Sequence, residues 1–175
     1  MKRLTVQPLL AAALVLALLA GVSAAWAGWS WYDAAHDDSA SYAAERDAAL
    51  AAGEQAVQNL NTLDHRSLAR GLDLWEQSTT GELHQQLVDG RGQFESQVKQ
   101  ARTVTTAEVL SGAVTELDER AGRARVLVAV RVTVRAPEAE PADKDSRMVG
   151  ELTRSAGRWK LSALGQAPIG DTASG

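Results

Sequence analysis

The chain has 175 residues, with 22 acidic against 18 basic side chains, a net charge of −4 and no cysteine. The absence of thiols excludes a disulfide framework, thiol catalysis, cysteine-ligated metal and a lipidated cysteine anchor. The acidic balance speaks against nucleic acid or anionic lipid headgroups as the main partner.

An uncharged stretch runs from Leu4 to Tyr32, entered from Lys2 and Arg3 and left through Trp26, Trp29, Trp31 and Tyr32. Its central part, Leu9 to Ala27, would rise about 28 Å as a helix at roughly 1.5 Å per residue, matching a hydrocarbon layer of about 30 Å. Trp and Tyr at the far end suit the headgroup level. The positive-inside bias of Lys2 and Arg3, set against Asp33, Asp37 and Asp38, predicts a cytoplasmic start (residues 1–8) and an extracytoplasmic remainder. The same residues fit a secretory signal, with Ala25-Trp26-Ala27 as a small-x-small cleavage site. The aromatic belt, for which a cleaved signal has no use, favours a retained anchor over residues 9–32. Beyond it lie 16 basic and 22 acidic residues, a net of −6. That remainder, about 140 residues, suits one domain and not two.

From Asp38 to about Leu60 the chain is alanine-rich and free of proline, and Leu50, Gly53, Val57 and Leu60 share a helical face. Residues 33–63 are therefore predicted as a membrane-proximal helix leading into a domain over 64–166. Asn61, Thr62 and Asp64 end that helix, and Asp64 is placed to cap a short one through Trp75 whose buried side is Leu68, Leu72 and Trp75. Thr80 is placed to cap a third, carrying Leu83, Leu87, Phe94, Val98 and Ala101. Gly90 and Gly92 predict a kink or break within it.

After Ala101 the period becomes alternating. Val104 to Leu117 is β-rich, Asp118 to Gly122 is a turn, and the next run sets Ala124, Val126, Val128, Val130, Val132 and Val134 on one side and Arg123, Arg125, Arg131 and Arg135 among those on the other. Leaving each valine exposed would forgo roughly 1.5 kcal/mol or more, so that face must meet a core. Ala136 to Lys144, with two prolines among acids, reads as a solvated loop. Arg147 to Thr153 and Arg158 to Leu164 read as a hairpin turned at Ala156-Gly157, with Trp159, Leu161 and Ala163 on one face. Residues 167–175 read as a flexible tail. Helices followed by about four strands predict an α+β domain with helices packed on one face of a curved antiparallel sheet.

Catalytic signals are weak. His36, His65 and His84 fall in separate segments with no i+3 or i+4 partner for a metal. Asp37 and Asp38 beside His36 read as a solvated junction. No nucleophile elbow, phosphate loop or dinucleotide fingerprint is present, and Gly90-Arg91-Gly92 alone is too little for a phosphate site. The residues thus point to no catalytic set, cofactor or metal. The arginine stripe is either a docking surface for an acidic partner or a solvated face paired with Glu116, Asp118, Glu119 or Glu151 across the ladder. Trp159 reads as core.

A short start, one anchor, a helix ending in Asn59-Leu60-Asn61-Thr62-Leu63-Asp64, a strand Arg125-Val126-Leu127-Val128-Ala129-Val130 and a late Gly157-Arg158-Trp159-Lys160-Leu161 resemble the actinobacterial Mce-associated membrane proteins over nearly the whole chain. The resemblance implies a nuclear-transport-factor-like (SnoaL-like) cone domain, related in architecture to the periplasmic domains of type IV secretion inner-membrane subunits. It also implies a scaffold role beside Mce transporters, which move lipids or sterols across the cell envelope. An enzyme of ketosteroid isomerase or polyketide cyclase type is the rival from another class. It would need a general base in an apolar pocket, for which Asp73, Asp89 and Glu95 are the helical acids and Tyr42 the tyrosine beyond the anchor. An envelope-assembly subunit of a secretion system is a third reading.

Overall fold

A computed structural model describes residues 7–35, 38–137 and 139–167. His36, Asp37, the first six residues and the tail 168–175 lie outside the described residues. The elements in order are α1 (Gln7–Ala35), α2 (Asp38–Leu60), β1 (Leu63–Asp64), α3 (Leu68–Ser78), α4 (Gly81–Ala101), β2 (Val104–Asp118), β3 (Arg123–Arg135), β4 (Ala142–Ser155) and β5 (Arg158–Gln166). The chain divides into two compact units, Met1–Ser41 and Tyr42–Gly175.

In the first unit, the segment Val15–Tyr32 of α1 is long and apolar enough to cross a membrane. A helix that is apolar on every side has no face reserved for a protein core, and lipid satisfies it all round. Ser23 donates its hydroxyl to the Leu19 carbonyl at 2.8 Å, so that hydroxyl proton is satisfied within the helix. Trp26, Trp29, Trp31 and Tyr32 are all exposed.

The second unit is α+β, as the alternation after Ala101 predicts. Five antiparallel strands lie side by side in chain order, β1 to β5, with β3 in the middle. The row Ala124, Val126, Val128 and Val130 is buried, and it forms one core with Ala49, Ala56 and Val57 of α2, Leu152 of β4 and Leu161 of β5. The residues of α2 on this face are small, which lets the helix lie close. A Cβ on Gly53 would stand 2.7 Å from Val126 Cγ2. The helix is turned slightly from the expected face, since Leu50 is only half-buried.

Bulges curve the sheet and reset its phase. Pairing of β2 with β3 shifts between Val109 and Ser111 and again between Val114 and Glu116. Each extra residue moves the inward set to the other parity, so Val109, Val114 and Leu117 pack on the core while Leu110 is left exposed. A third bulge, at Ser162, pairs Leu161 with Leu152 but Ala163 with Glu151. Ala163 is therefore turned outward, against the expectation that it shares a face with Leu161. Val134 at the strand end is also partly exposed.

Other boundaries differ for identifiable reasons. Asp64 does not cap a helix; it sits in β1 paired with Val104, where its carboxylate accepts from the Arg66 backbone N–H at 2.8 Å and from the Arg66 guanidinium at 2.8–3.1 Å. The short helix starts at Leu68 after Ser67. Leu63 of β1 makes a second core with Leu68 and Leu72, covered by Trp75, Phe94 and Val98. That extra strand makes five rather than about four. Helix α4 runs unbroken through Gly90 and Gly92, because contacts along its apolar stripe outweigh a propensity cost of about 1 kcal/mol per glycine. Strand β4 begins five residues earlier than the acidic stretch suggests. Asp143 accepts from Thr133 at 2.6 Å and Asp145 from Arg131 at 2.7 and 2.8 Å, so the acids are cross-strand partners. The β4–β5 turn has φ of 49° at Ala156 and 76° at Gly157, the left-handed pair of a two-residue hairpin loop.

Two predictions follow from this packing. Leu161→Ala removes a fully buried side chain and is expected to cost about 2–5 kcal/mol, read as a lower denaturant midpoint at unchanged m-value. Hydrogen bonds from the Arg66 side chain and backbone hold the Asp64 carboxyl down at about 2, against an ordinary 3.8. A depressed carboxyl stabilises fully above its unfolded value and loses that contribution as pH falls through the folded one. An NMR titration of Asp64 is expected to give a midpoint near that depressed value, returning to the ordinary range in Arg66→Ala.

Candidate functional site

The second unit offers three surfaces with the chemistry to bind something: the outer face of the sheet, a junction between α2 and the β4–β5 hairpin, and a slot between α3 and α4.

On the outer face the arginines of β3 separate into paired and unpaired. Arg125 donates to Glu116 at 2.6 Å and to Glu151 at 3.2 Å, and Arg131 holds Asp145 at 2.7 Å. Asp145 is the main cause that raises the Arg131 pKa, and Arg131 in turn lowers that of Asp145. Arg135 reaches only the Thr106 hydroxyl, at 3.4 Å, and Arg123 has no ion pair among the described residues. Arg123 and Arg125 line an open depression of about 710 Å³ together with Glu82, Glu116, Asp118 and Glu151. The depression thus carries both signs, and Arg131 and Arg135 do not reach it.

At the junction, Arg154 of β4 forms an ion pair with Glu45 of α2 and lies over the Trp159 ring, 4.7 Å from its centre. The Trp159 indole N–H donates to the same Glu45 carboxylate at 3.3 Å. Trp159 is accordingly half-buried at the margin of the core rather than inside it. Sequence reasoning missed this cluster because its members are 109 and 114 residues apart.

The slot is built from two helical faces. Leu72, Trp75 and Glu76 project from α3 at i, i+3 and i+4, and Leu87, Gly90, Arg91 and Phe94 from α4 at spacings of three, one and three. They enclose about 250 Å³. Trp75 is oriented by its indole N–H, which donates to the Asn59 carbonyl at 2.7 Å, and its ring stands 5.1 Å from that of Phe94 at 42°. Arg91 crosses from α4 to α3, donating to Asp73 at 2.8 Å and Glu76 at 2.5 Å. Those two carboxylates, Asp73 first, raise the Arg91 pKa, so the guanidinium stays charged. A Cβ on Gly90 would meet nothing within 4 Å, which leaves a gap in the α4 wall. The signal in the sequence was the Asp73, Glu76 pair beside Leu72 and Trp75, facing Arg91; Gly90 and Gly92 drew attention instead as helix breakers.

The remaining candidates are dispersed. His65 Nδ1 lies 3.3 Å from the Thr103 carbonyl and His84 Nδ1 3.1 Å from the Glu76 carbonyl, both structural contacts. No group of three or more metal-binding side chains occurs among the described residues. Of the acids considered as general bases, Asp73 is bound by Arg91 and Glu95 by Lys99 at 2.6 Å, while Asp89 is exposed. Lys99 lowers the Glu95 pKa, the opposite of what a carboxyl base in an apolar pocket requires. Tyr42 is exposed.

A family model described as "Uncharacterized protein Rv1363c/MT1408-like" matches residues 7–168. No curated protein matches the chain. Among solved structures, the domain is similar to the periplasmic domain of DotI, at 17% identity and a TM-score of 0.56 over 69% of this chain and 93% of that one. It is similar to an IcmL-like type IV secretion system protein of Legionella pneumophila, at 12% identity and a TM-score of 0.55 over 69% and 90%. It is also similar to the VirB8 protein of Agrobacterium tumefaciens, at 9% identity and a TM-score of 0.52 over 68% and 90%. Likeness at these identities establishes the fold alone, which is the NTF2-like, or nuclear-transport-factor-like, cone.

The junction yields a prediction. Arg154→Ala and Glu45→Gln are expected to couple by about 0.5–1 kcal/mol in a double-mutant cycle, the scale of a half-exposed ion pair and a cation–π contact. Additive effects of the two substitutions would show that the pair contributes nothing.

Proposed function

This chain belongs to the Rv1363c/MT1408-like family, and we propose that it is a non-enzymatic, single-pass membrane subunit whose NTF2-like domain makes protein contacts within an assembly of the cell envelope. One observation carries the reading: a lipid-length helix, Val15–Tyr32, stands in the same chain as a domain folded like an IcmL-like type IV secretion system protein and the periplasmic domain of DotI. The positive-inside bias of Lys2 and Arg3 supports an extracytoplasmic domain. The chemistry of the domain supports binding over turnover, because the charged groups at its slot are engaged with one another. A tether holds the domain in a layer beside the membrane and raises its effective concentration for partners there, so modest interfaces suffice.

The resemblance to Mce-associated proteins supports a narrower form of this reading, a scaffold for a lipid importer. The fold favours the broader form, an assembly subunit comparable to type IV secretion inner-membrane components. Arg123 and Arg135, which have no acidic partner in the ladder, are the stripe members available for a partner's carboxylates; Arg125 and Arg131 hold the sheet's own register.

The test uses the full chain with a C-terminal tag. It is expected to stay in the membrane fraction through alkaline carbonate extraction, and to bring down other envelope proteins in fixed ratio after cross-linking in cells and detergent extraction. Recovery of Mce or permease subunits would support the narrower form, and of secretion-type envelope subunits the broader one. Arg123→Glu with Arg135→Glu should reduce recovery without lowering the melting temperature, whereas Arg125→Glu should lower it by breaking two ion pairs. A soluble protein recovered alone that turns over a steroid or polyketide would overturn the proposal.

A further inference from the structure

We infer that the α3–α4 slot is the seat of a partner protein's anchor: one bulky apolar side chain, Leu, Phe or Trp, with a Lys or Arg directly beside it that meets Asp73 and Glu76. The inference rests on the scaffold reading and names the chemistry of one of its contacts.

Size comes first. An apolar cavity of about 150 Å³ accepts a benzene ring, and pockets for drug-sized ligands start at about 300 Å³. A slot of about 250 Å³ therefore suits a single large side chain and could not enclose a whole sterol. Its lining is apolar where an anchor would sit, with Leu72 buried beneath and Trp75, Leu87 and Phe94 around it.

Coverage comes second. Helix α2 buries Ala49, Ala56 and Val57, but no residue of α4 is fully buried along its 21 residues. Of the stripe that the sequence marks as inward, Leu83, Leu87, Phe94 and Val98 are only half-covered and Ala101 is exposed. The chain's own packing leaves room on this helix for a further apolar group.

Charge selects the neighbour. Arg91 is one cation held between two carboxylates, Glu76 in the slot's lining at 2.5 Å and Asp73 just outside it at 2.8 Å, which gives the trio at this edge a net charge of −1. Glu76 also lies in the last turn of α3, where the helix dipole adds negative potential. Asp73 is the more exposed carboxylate, at 56% against 27%, and is open to a second cation. A Lys or Arg next to the anchor gains from this rim, and a Glu or Asp is repelled. Preorganisation lowers the entropy lost on binding: Arg91 props the two helices, and the bond from Trp75 to Asn59 fixes the ring before a partner arrives.

The experiment titrates the full chain in nanodiscs with three blocked dipeptides, N-acetyl-Phe-Lys amide, N-acetyl-Phe-Glu amide and N-acetyl-Ala-Lys amide, following the Trp75 indole N–H signal by NMR, assigned with Trp75→Phe. The Phe-Lys probe is expected to move that signal saturably, at least fivefold more tightly than Phe-Glu, and Ala-Lys not at all. Gly90→Leu places a side chain in the gap where nothing stands within 4 Å and replaces a poor helix former with a good one. It should abolish the shift while melting no lower than wild type. Asp73→Asn with Glu76→Gln should keep the response to Phe probes and reverse the preference from Lys to Glu, because Arg91 alone then leaves the rim at +1. No shift with Phe-Lys, an undiminished shift in Gly90→Leu, or equal affinity for Phe-Lys and Phe-Glu would overturn the inference. So would phenethylamine binding at least tenfold more tightly than Phe-Lys, which would mark a small-amine site. Failure here leaves recovery of envelope partners untouched, so it is distinguishable from failure of the scaffold reading.

Discussion

The close approach of α2 to the centre of the sheet governs the rest of the domain. Val126 is fully buried between two glycines: a Cβ on Gly53 of the helix would lie 2.7 Å from its Cγ2, and one on Gly150 of the neighbouring strand 3.2 Å from the same atom and 2.8 Å from Leu161 Cδ1. The bare Cα of Gly53 lets the helix meet the sheet at that separation, and Gly150 leaves room beside Val126 for Leu161. Small residues on α2 and branched ones on β3 then interdigitate, and Leu152 and Leu161 close the layer from β4 and β5. At roughly 1.5 kcal/mol or more for each large apolar side chain, this row supplies the domain's main driving force.

The outer face answers a different demand. With one side of β3 committed to the core, its other side carries charge, and the charges are arranged across strands: Glu116, Arg125 and Glu151 in one row, Arg131 and Asp145 in another. Exposed pairs of this kind contribute only about 0.2–1 kcal/mol each. Their greater effect is on register, because a slip by one residue would bring charge inward and valine outward. Arg125 and Arg131 thus belong to the sheet, whereas Arg123 and Arg135 have no ion pair among the described residues.

Packing is unequal around the domain. Beneath α2 the core is dense, whereas α3 and α4 cover a smaller cluster of Leu63, Leu68 and Leu72 and keep a slot between them. A sheet with one tightly held helix and one open helical pair presents well-defined surfaces. That division agrees with a tethered scaffold, since effective concentration near the membrane makes modest contact areas sufficient.

Periodicity along the chain determined the anchor-length apolar run, the helical stretches and the strand Arg123–Arg135, because each depends on residues within one turn or one pleat of each other. It also offered Glu116, Asp118, Glu119 or Glu151 as cross-strand partners for the arginine stripe; Glu116 and Glu151 pair with Arg125, while the partner of Arg131, Asp145, lay in the stretch read as a loop. Tertiary structure decided what depends on distant partners. Asp143 and Asp145 became strand through Thr133 and Arg131, Ala163 turned outward through the bulge at Ser162, and Asp64 sits in β1 rather than at a helix cap through its pairing with Val104. Gly90 and Gly92 read as a break in isolation, yet the helix persists because contacts along its apolar stripe outweigh their local cost. The slot itself is invisible to periodicity, for its walls come from two helices and its rim from an arginine that reaches across 15 and 18 residues of chain.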